Sequence, residues 1–225
     1  MAAEPDPPNR EAATDVRDGP LITHAAPALL VPDVLTPDQC KALMRAWEKD
    51  NTESGMHREV DGRVVLVPDP SAKVRRDHTV DKGPLAEVVM KALGDRLLPA
   101  IYKSFFYKCT RLERLKVVCY DAETGGYFRP HRDNTTPDAA HRRFAMTLNL
   151  NTDDYEGGEL RFPEFGNARY SPPAGAAVVF SCSHLHEVLD VMRGRRFVLL
   201  TFLYGEDAVR PRSAEPVVRK THARR

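Results

Sequence analysis

After Arg111 the chain loses helical periodicity and breaks into short apolar runs separated by glycine, proline and acidic pairs. This change constrains the fold more than any other feature. Leu112, Leu115, Val117, Val118 and Tyr120 form one run, followed by the turn signal Gly125-Gly126. Residues 144–151 form another, largely alternating apolar and polar after Met146. Asp153-Asp154 and Gly157-Gly158 bracket a turn before the short run 159–162. Residues 176–180, led by Pro172, Pro173 and Gly175, are apolar throughout, as suits a buried strand. Runs 186–189 and 197–204 close the series, joined by a turn at Arg193-Gly194. Many short strands ending on a hairpin predict a double-sheet barrel of jelly-roll type. No repeat of fixed period is present.

The region before Arg111 reads differently. Residues 21–34 predict a leading strand carrying Ala28, Leu29, Leu30 and Val31 and ended by Pro32. Thr36 then caps a helix, with Pro37 at its first position and Gln39 completing a capping box. Cys40, Leu43, Met44 and Trp47 follow at helical spacing as one buried stripe. Residues 50–82 are polar and charged, and predict a long irregular connection. Pro84 starts a second helix with a face of Leu85, Val88, Val89, Ala92 and Leu93, and Pro99 is expected to divide it from a further turn through Phe106. The fold class expected is α+β, mainly β: a jelly-roll core over 111–205, helical support over 21–110, a disordered proline-rich tail over 1–20 and a basic tail over 206–225.

With 33 basic against 32 acidic residues, charge makes no case for nucleic acid as a partner. Cys40, Cys109, Cys119 and Cys182 lack paired spacing, so reduced thiols are expected, with Cys40 and Cys119 filling the core. Residues 1–20 lack the apolar run of a signal peptide, and no stretch suits a membrane span. A soluble, cytoplasmic protein is expected.

His131-Arg132-Asp133, His186 and Arg196 carry the chemistry. Residues two apart on an extended segment point to one side, so His131 and Asp133 can reach a common ion while Arg132 points away. His186 lies 53 positions after Asp133 (186 minus 133), room for several intervening strands. Two imidazoles and a carboxylate are the ligand set of a facial triad that holds Fe(II) with open positions. An H-x-D triplet alone also occurs in surface turns. The distal His and Arg after an apolar strand make the metal reading the stronger one. His184 and His186 share a face. His186 is taken as the ligand because it is expected to pair, across the hairpin, with the strand carrying Arg196. His184 is then a supporting neighbour. His24, His57, His141 and His222 have no such context and read as solvated or capping residues, and His78 as solvated or part of a lid.

These residues carry a resemblance. Tyr120, Gly125-Gly126-Tyr127, His131-Arg132-Asp133-Asn134, Arg142-Arg143-Phe144, Gly157-Gly158-Glu159-Leu160, residues 175–180, His186-Glu187-Val188 and Gly194-Arg195-Arg196 resemble the Fe(II)- and 2-oxoglutarate-dependent dioxygenases, most closely the prolyl 4-hydroxylase-like branch. The likeness spans residues 116–204. It implies a double-stranded β-helix with Fe(II) on His131, Asp133 and His186. It implies 2-oxoglutarate and O2 as cosubstrates, with ascorbate as reductant. Arg196 would pair with the far carboxylate of 2-oxoglutarate through its planar fork. Tyr120 either donates to that carboxylate or fills the core. The family often has tyrosine on the strand after the triplet; here Thr147-Leu148-Asn149 stands, so Thr147 or Asn149 would supply that hydrogen bond. Asp190 replaces a frequent proline. His184, Asn134, Tyr127 and Arg143 are candidates for the support of the site or its substrate rim, as are loop 134–142 and residues 50–82.

The implied reaction is hydroxylation of an unactivated C–H bond, of a prolyl residue in a peptide or protein. A free amino acid or small metabolite is the alternative substrate, and a non-catalytic jelly-roll binding module or a decayed site the alternative function. The intact Asp133 favours hydroxylation over halogenation.

Overall fold

The computed structural model describes residues 25–60 and 63–208. The expectations for residues 1–20, most of 206–225, His24 and His222 lie outside them. Two antiparallel sheets face each other. In the larger, of eight strands among the described residues, β1 (Ala28–Val31) leads the chain in and β3 (Arg76–Val80), β4 (Leu115–Asp121), β6 (Phe144–Asn149), β9 (Ala177–Ser181) and β12 (Arg195–Tyr204) form the body, in the order β1-β9-β6-β12-β4-β3. The smaller, of five, runs β8 (Arg169–Tyr170), β7 (Leu160–Arg161), β10 (His186–Val188), β5 (Tyr127–His131) and β2 (Lys73–Val74). A short strand β11 (Val191–Arg193) carries the chain from the smaller sheet back to the larger. The expected jelly roll is present.

Alternation explains the continuous apolar runs. Along β9, Ala177 and Val179 pack with the helices while Val178 and Phe180 face the smaller sheet. Along β12, Phe197 and Leu199 face the helices, and Val198 faces the interior. A sheet covered on both faces needs apolar residues at both parities. Each fully buried Leu or Val contributes about 1.5–3 kcal/mol relative to exposure.

Helix α1 (Pro37–Lys49) begins as its sequence predicts. Thr36 Oγ1 accepts from the Gln39 backbone N–H at 3.3 Å and Gln39 Oε1 accepts from the Thr36 N–H at 2.8 Å, closing the capping box. Cys40, Leu43 and Trp47 are buried, and Trp47 meets Phe197 edge-on at 5.1 Å. Helix α2 (Pro84–Ala92) continues through a π-helical turn (Leu93–Leu97) into α3 (Leu98–Phe105). Pro99 therefore does not divide the helix. It lacks an N–H, and the ladder just before it shifts so that Leu98 N–H reaches Leu93 O. The buried face is Ala86, Val89, Leu93, Leu97 and Ile101; Val88 is exposed.

Residues 50–82 are not an irregular connection. They form Thr52–Glu53, the hairpin Met56–Val60 with Arg63–Val67, β2 and β3. Their charge concealed the strands because Arg75 and Asp77 are buried together and neutralise one another, at 3.0 Å. The expected helical support region thus adds strands to both sheets. Cys40 and Cys119 are buried as expected, and burial pushes their thiols up to about 11 and about 12. Among the described residues, no helix is long and apolar enough to cross a membrane.

Candidate active site

His131 ends β5 and His186 starts β10, and the two are direct cross-strand partners. The sequence expectation that His186 pairs with the strand of Arg196 is corrected here: β10 and β12 lie in opposite sheets and face one another across the barrel. Their ligands still meet. Donor atoms of His131, Asp133 and His186 all lie within 4.8 Å of one another. Asp133 Oδ1 is 3.5 Å from His131 Nε2, and Oδ2 is 3.3 Å from His186 Nε2. His131 Nδ1 is 2.8 Å from Arg129 O, and His186 Nδ1 is 3.0 Å from His184 O. A carbonyl only accepts, so each Nδ1 carries a proton and each Nε2 is the ring nitrogen turned to the carboxylate. Phe128 stacks on His131 at 3.4 Å, and Phe180 meets His186 at 4.6 Å. Arg132 turns outward to Glu164, at 2.5 Å.

The three groups are coupled. Burial alone would raise the Asp133 carboxyl, but the two imidazoles outweigh it and hold it far below the usual carboxylate range. Burial would lower His186, but the Asp133 charge prevails and raises it. For His131 burial prevails and the value falls. One carboxylate thus stabilises one proton on the imidazole pair. A divalent metal held by these three groups would supply a stronger positive charge in place of that proton.

Across the cavity Arg196 is buried, and among the described residues only its Nη2 has a side-chain hydrogen-bond partner, Asn149 Oδ1 at 3.3 Å. Its Nε and Nη1 are buried and unpaired among the described residues. A guanidinium in that state costs free energy unless an acceptor arrives. Each of the two open donors can receive an anionic oxygen, as a carboxylate would supply. Tyr120 lies directly opposite Arg196 on β4, and both line the cavity with His131, Asp133 and His186. Thr147 also lines it. Asn149 does not: its amide donates to Pro172 O at 3.0 Å and to Thr152 Oγ1 and Tyr155 Oη at 3.2 Å each. It holds Arg196 instead of reaching a ligand.

The remaining candidates scatter. His184 sits beside Phe165 at 5.1 Å and holds His186 through its carbonyl. Asn134 Nδ2 donates to Ser183 Oγ at 2.8 Å on the exposed rim. Tyr127 donates to Pro70 O and stacks under Arg129 at 3.6 Å, away from the cavity. Arg143 points outward, 3.8 Å from Asp207. Asp190, read only as a turn residue, pairs with Arg129 at 2.8 Å. His141, expected to be solvated, is buried, its Nε2 3.0 Å from Glu113. His78 on β3 is 3.8 Å from Asp50.

Sequence reasoning missed two groups. Arg75 lines the cavity, and Arg75 with Asp77 could have been found as a same-face pair two residues apart. Beside them Lys73 is buried, and burial, then the Arg75 charge, pushes its ammonium down to about 6. The second group is Arg142. It forks onto Glu113 at 2.7 and 2.9 Å and donates to Asp133 O at 3.1 Å.

Residues 115–204 match the model of the 2OG-Fe(II) oxygenase superfamily. A PKHD-type hydroxylase of Cupriavidus metallidurans is 30% identical over 191 residues, covering 80% of this chain and 78% of the relative. The chain belongs to the 2OG-Fe(II) oxygenase superfamily, with the PKHD-type hydroxylases. A PKHD-type hydroxylase of Burkholderia lata is 31% identical, covering 81% and 79%. Two solved structures share the fold of this oxygenase. A Pseudomonas putida prolyl-4-hydroxylase has a TM-score of 0.60 and 22% identity, covering 81% of this chain and 93% of that one. A Trichoplax adhaerens prolyl hydroxylase, in complex with a hypoxia inducible factor oxygen degradation domain peptide fragment, has a TM-score of 0.63 and 16% identity, covering 84% and 87%. This oxygenase is therefore a 2-oxoglutarate-dependent hydroxylase.

Proposed function

We propose that His131, Asp133 and His186 hold Fe(II), that Arg196 anchors 2-oxoglutarate, and that this hydroxylase acts on a prolyl residue in a peptide or protein. The observation that carries the site assignment is the half-open Arg196 guanidinium facing the same cavity as the three donor atoms. The names of the solved relatives and the peptide in one of them support the substrate class.

Held by His131, Asp133 and His186, iron with 2-oxoglutarate and O2 would supply the oxidising power for C–H hydroxylation, with succinate and carbon dioxide as coproducts. The chain supplies placement. The Arg129 and His184 carbonyls fix both imidazoles through Nδ1, so that each Nε2 is presented unprotonated. Arg196 receives a carboxylate by paired N–H donation, aimed by Asn149. Val188, Val198, Leu200 and Phe202 wall the cavity with apolar surface and exclude water from the oxidising centre. Thr147 supplies a hydroxyl to the same cavity. Asn134 and His184, on the rim, contact the substrate. The protein is cytoplasmic and uses ascorbate to keep the iron reduced.

The test is succinate release with Fe(II), 2-oxoglutarate and ascorbate, together with a mass-spectrometric search for products heavier by one oxygen atom. The expected product is a hydroxyprolyl peptide. Oxygen found only on free amino acids or metabolites would replace the substrate class. Absence of turnover with every substrate pool, iron being bound, would indicate a binding module.

A further inference from the structure

Arg75 is a buried cation that neither the three metal-binding candidates nor Arg196 employs. It precedes β3, which pairs with β4 so that Arg76 lies opposite Cys119. Arg75 therefore falls beside Tyr120, and Tyr120 falls beside Arg196, in one row across three neighbouring strands. Both guanidiniums flank the Tyr120 ring, with their central carbons 5.9 and 5.4 Å from its centroid.

The hydrogen bonds give this row a direction. Asp77 Oδ2 accepts from Arg75 Nη2 at 3.2 Å, Asp77 Oδ1 lies 3.0 Å from Nε as an ion pair, and Nε donates to Ser54 Oγ at 3.3 Å. Ser54 in turn donates to Asp77 Oδ2 at 2.9 Å. Held this way, Arg75 presents Nη1 to Tyr120 Oη at 3.2 Å. A guanidinium only donates, so the phenol oxygen must accept here, and its own proton must point elsewhere. Among the described residues no acceptor meets that proton. Tyr120 lines the cavity, so the direction left for the O–H is the ligand space. A cationic donor on the phenol oxygen also polarises the O–H and strengthens it as a donor.

We infer that Arg75, braced by Asp77 and Ser54, is a positioning residue that fixes Tyr120 as a hydrogen-bond donor to a carboxylate of 2-oxoglutarate. The inference rests on the proposed function, because it needs 2-oxoglutarate in the cavity. It separates Arg75 from a plain buried ion pair, which would stabilise the fold without acting through Tyr120.

The experiment is calorimetric titration of 2-oxoglutarate into the full chain loaded with Mn(II) under anaerobic conditions, with Mn(II) affinity measured separately. Tyr120→Phe should weaken 2-oxoglutarate binding about tenfold, the range of a hydrogen bond to a charged group. Arg75→Lys keeps a cation beside Asp77 but cannot span Asp77 and Tyr120 together. It should weaken binding several-fold alone and less than twofold in the Tyr120→Phe background, with Mn(II) affinity unchanged throughout. Arg75→Gln combined with Asp77→Asn, which removes both charges of the pair, should behave the same way. Independent losses in the two backgrounds, no loss at all, or a parallel loss of Mn(II) affinity would overturn the inference while leaving the proposed function intact. A wild-type protein that takes Mn(II) but no 2-oxoglutarate would overturn both.

Discussion

Asn149 Oδ1 accepts from Arg196 Nη2 at 3.3 Å, and the Asn149 amide is itself fastened to Pro172, Thr152 and Tyr155. The guanidinium is therefore aimed by a side chain that has no freedom left. Its Nε and Nη1 remain without a hydrogen-bond partner among the described residues. Replacing Asn149 with leucine should release the fork, leaving its charge in place but its direction unset. The expected result is a KM for 2-oxoglutarate raised about tenfold with kcat at saturation changed much less, since fixed geometry is what the residue supplies. Steady-state succinate formation over a range of 2-oxoglutarate concentrations measures this split. A fall in kcat with KM unchanged would assign Asn149 a different role.

The opposed shifts at the metal-binding candidates predict a pH dependence. His186 is raised by Asp133, so this pairing stabilises the metal-free protein fully below about pH 6.5 and is lost as pH rises through the folded value. Asp133 is depressed, so its contribution is present above about pH 4 and is lost as pH falls through its lowered value. A metal needs both imidazoles neutral and competes with the proton the pair holds. The gain in Tm from Mn(II) should therefore grow between about pH 5.5 and about pH 7.5. Thermal unfolding with and without Mn(II) checks it, and His131→Ala should abolish the gain. A gain that stays flat across this range would contradict the ligand set.

The barrel and the three donor atoms were legible because their signals are local. The continuous run 177–180 reports a strand covered on both faces, and the H-x-D spacing places two ligands on one side. Strand partnership was not legible. His186 and Arg196 are close in sequence, yet β10 pairs with β5 and β12 pairs with β4, because β11 carries the chain between sheets. Nothing local in residues 189–195 specifies that crossing. Buried charge was also hidden. Arg75, Asp77 and His141 read as solvated or capping groups until their partners, most of them distant in sequence, are known. Asn149 was found as a residue of the site, but its carboxamide proved to be spent on protein partners.

Arg142 ties the Asp133 segment to the strand-flanking residue Glu113. Its fork on Glu113 and its donation to Asp133 O leave little freedom to the backbone that presents the carboxylate. Its guanidinium also lies 3.8 Å from the centroid of Phe202, a cavity wall residue. Arg142→Met should lower metal affinity by about 10–100-fold, the usual effect of losing a group that orients a ligand. It should also cost about 2–4 kcal/mol of stability by leaving Glu113 partly buried without its main partner. Titration of Mn(II) and urea unfolding read the two effects separately. Unchanged metal affinity in a folded variant would remove Arg142 from the support of the site.

Gly158 was read as a turn residue, but its position sets it against the stem of Arg196, the proposed 2-oxoglutarate anchor. Its φ is +67°, and a Cβ there would stand 2.9 Å from Arg196 Cδ and 2.8 Å from Val191 Cγ2. The backbone conformation disfavours any other residue, and the space belongs to the Arg196 stem. Gly158→Ala must therefore strain the turn and push the guanidinium away from its position beside Asn149. The backbone part should cost about 1–2 kcal/mol. The displacement should raise the KM for 2-oxoglutarate while Mn(II) affinity is preserved, because His131, Asp133 and His186 come from other elements. Gly125→Ala serves as the control: its φ is +71°, and nothing lies within 4 Å of the added carbon. It should match the loss of stability without the change in KM. Equal KM values for the two variants would show that Gly158 acts only through the backbone and that Arg196 tolerates the intrusion.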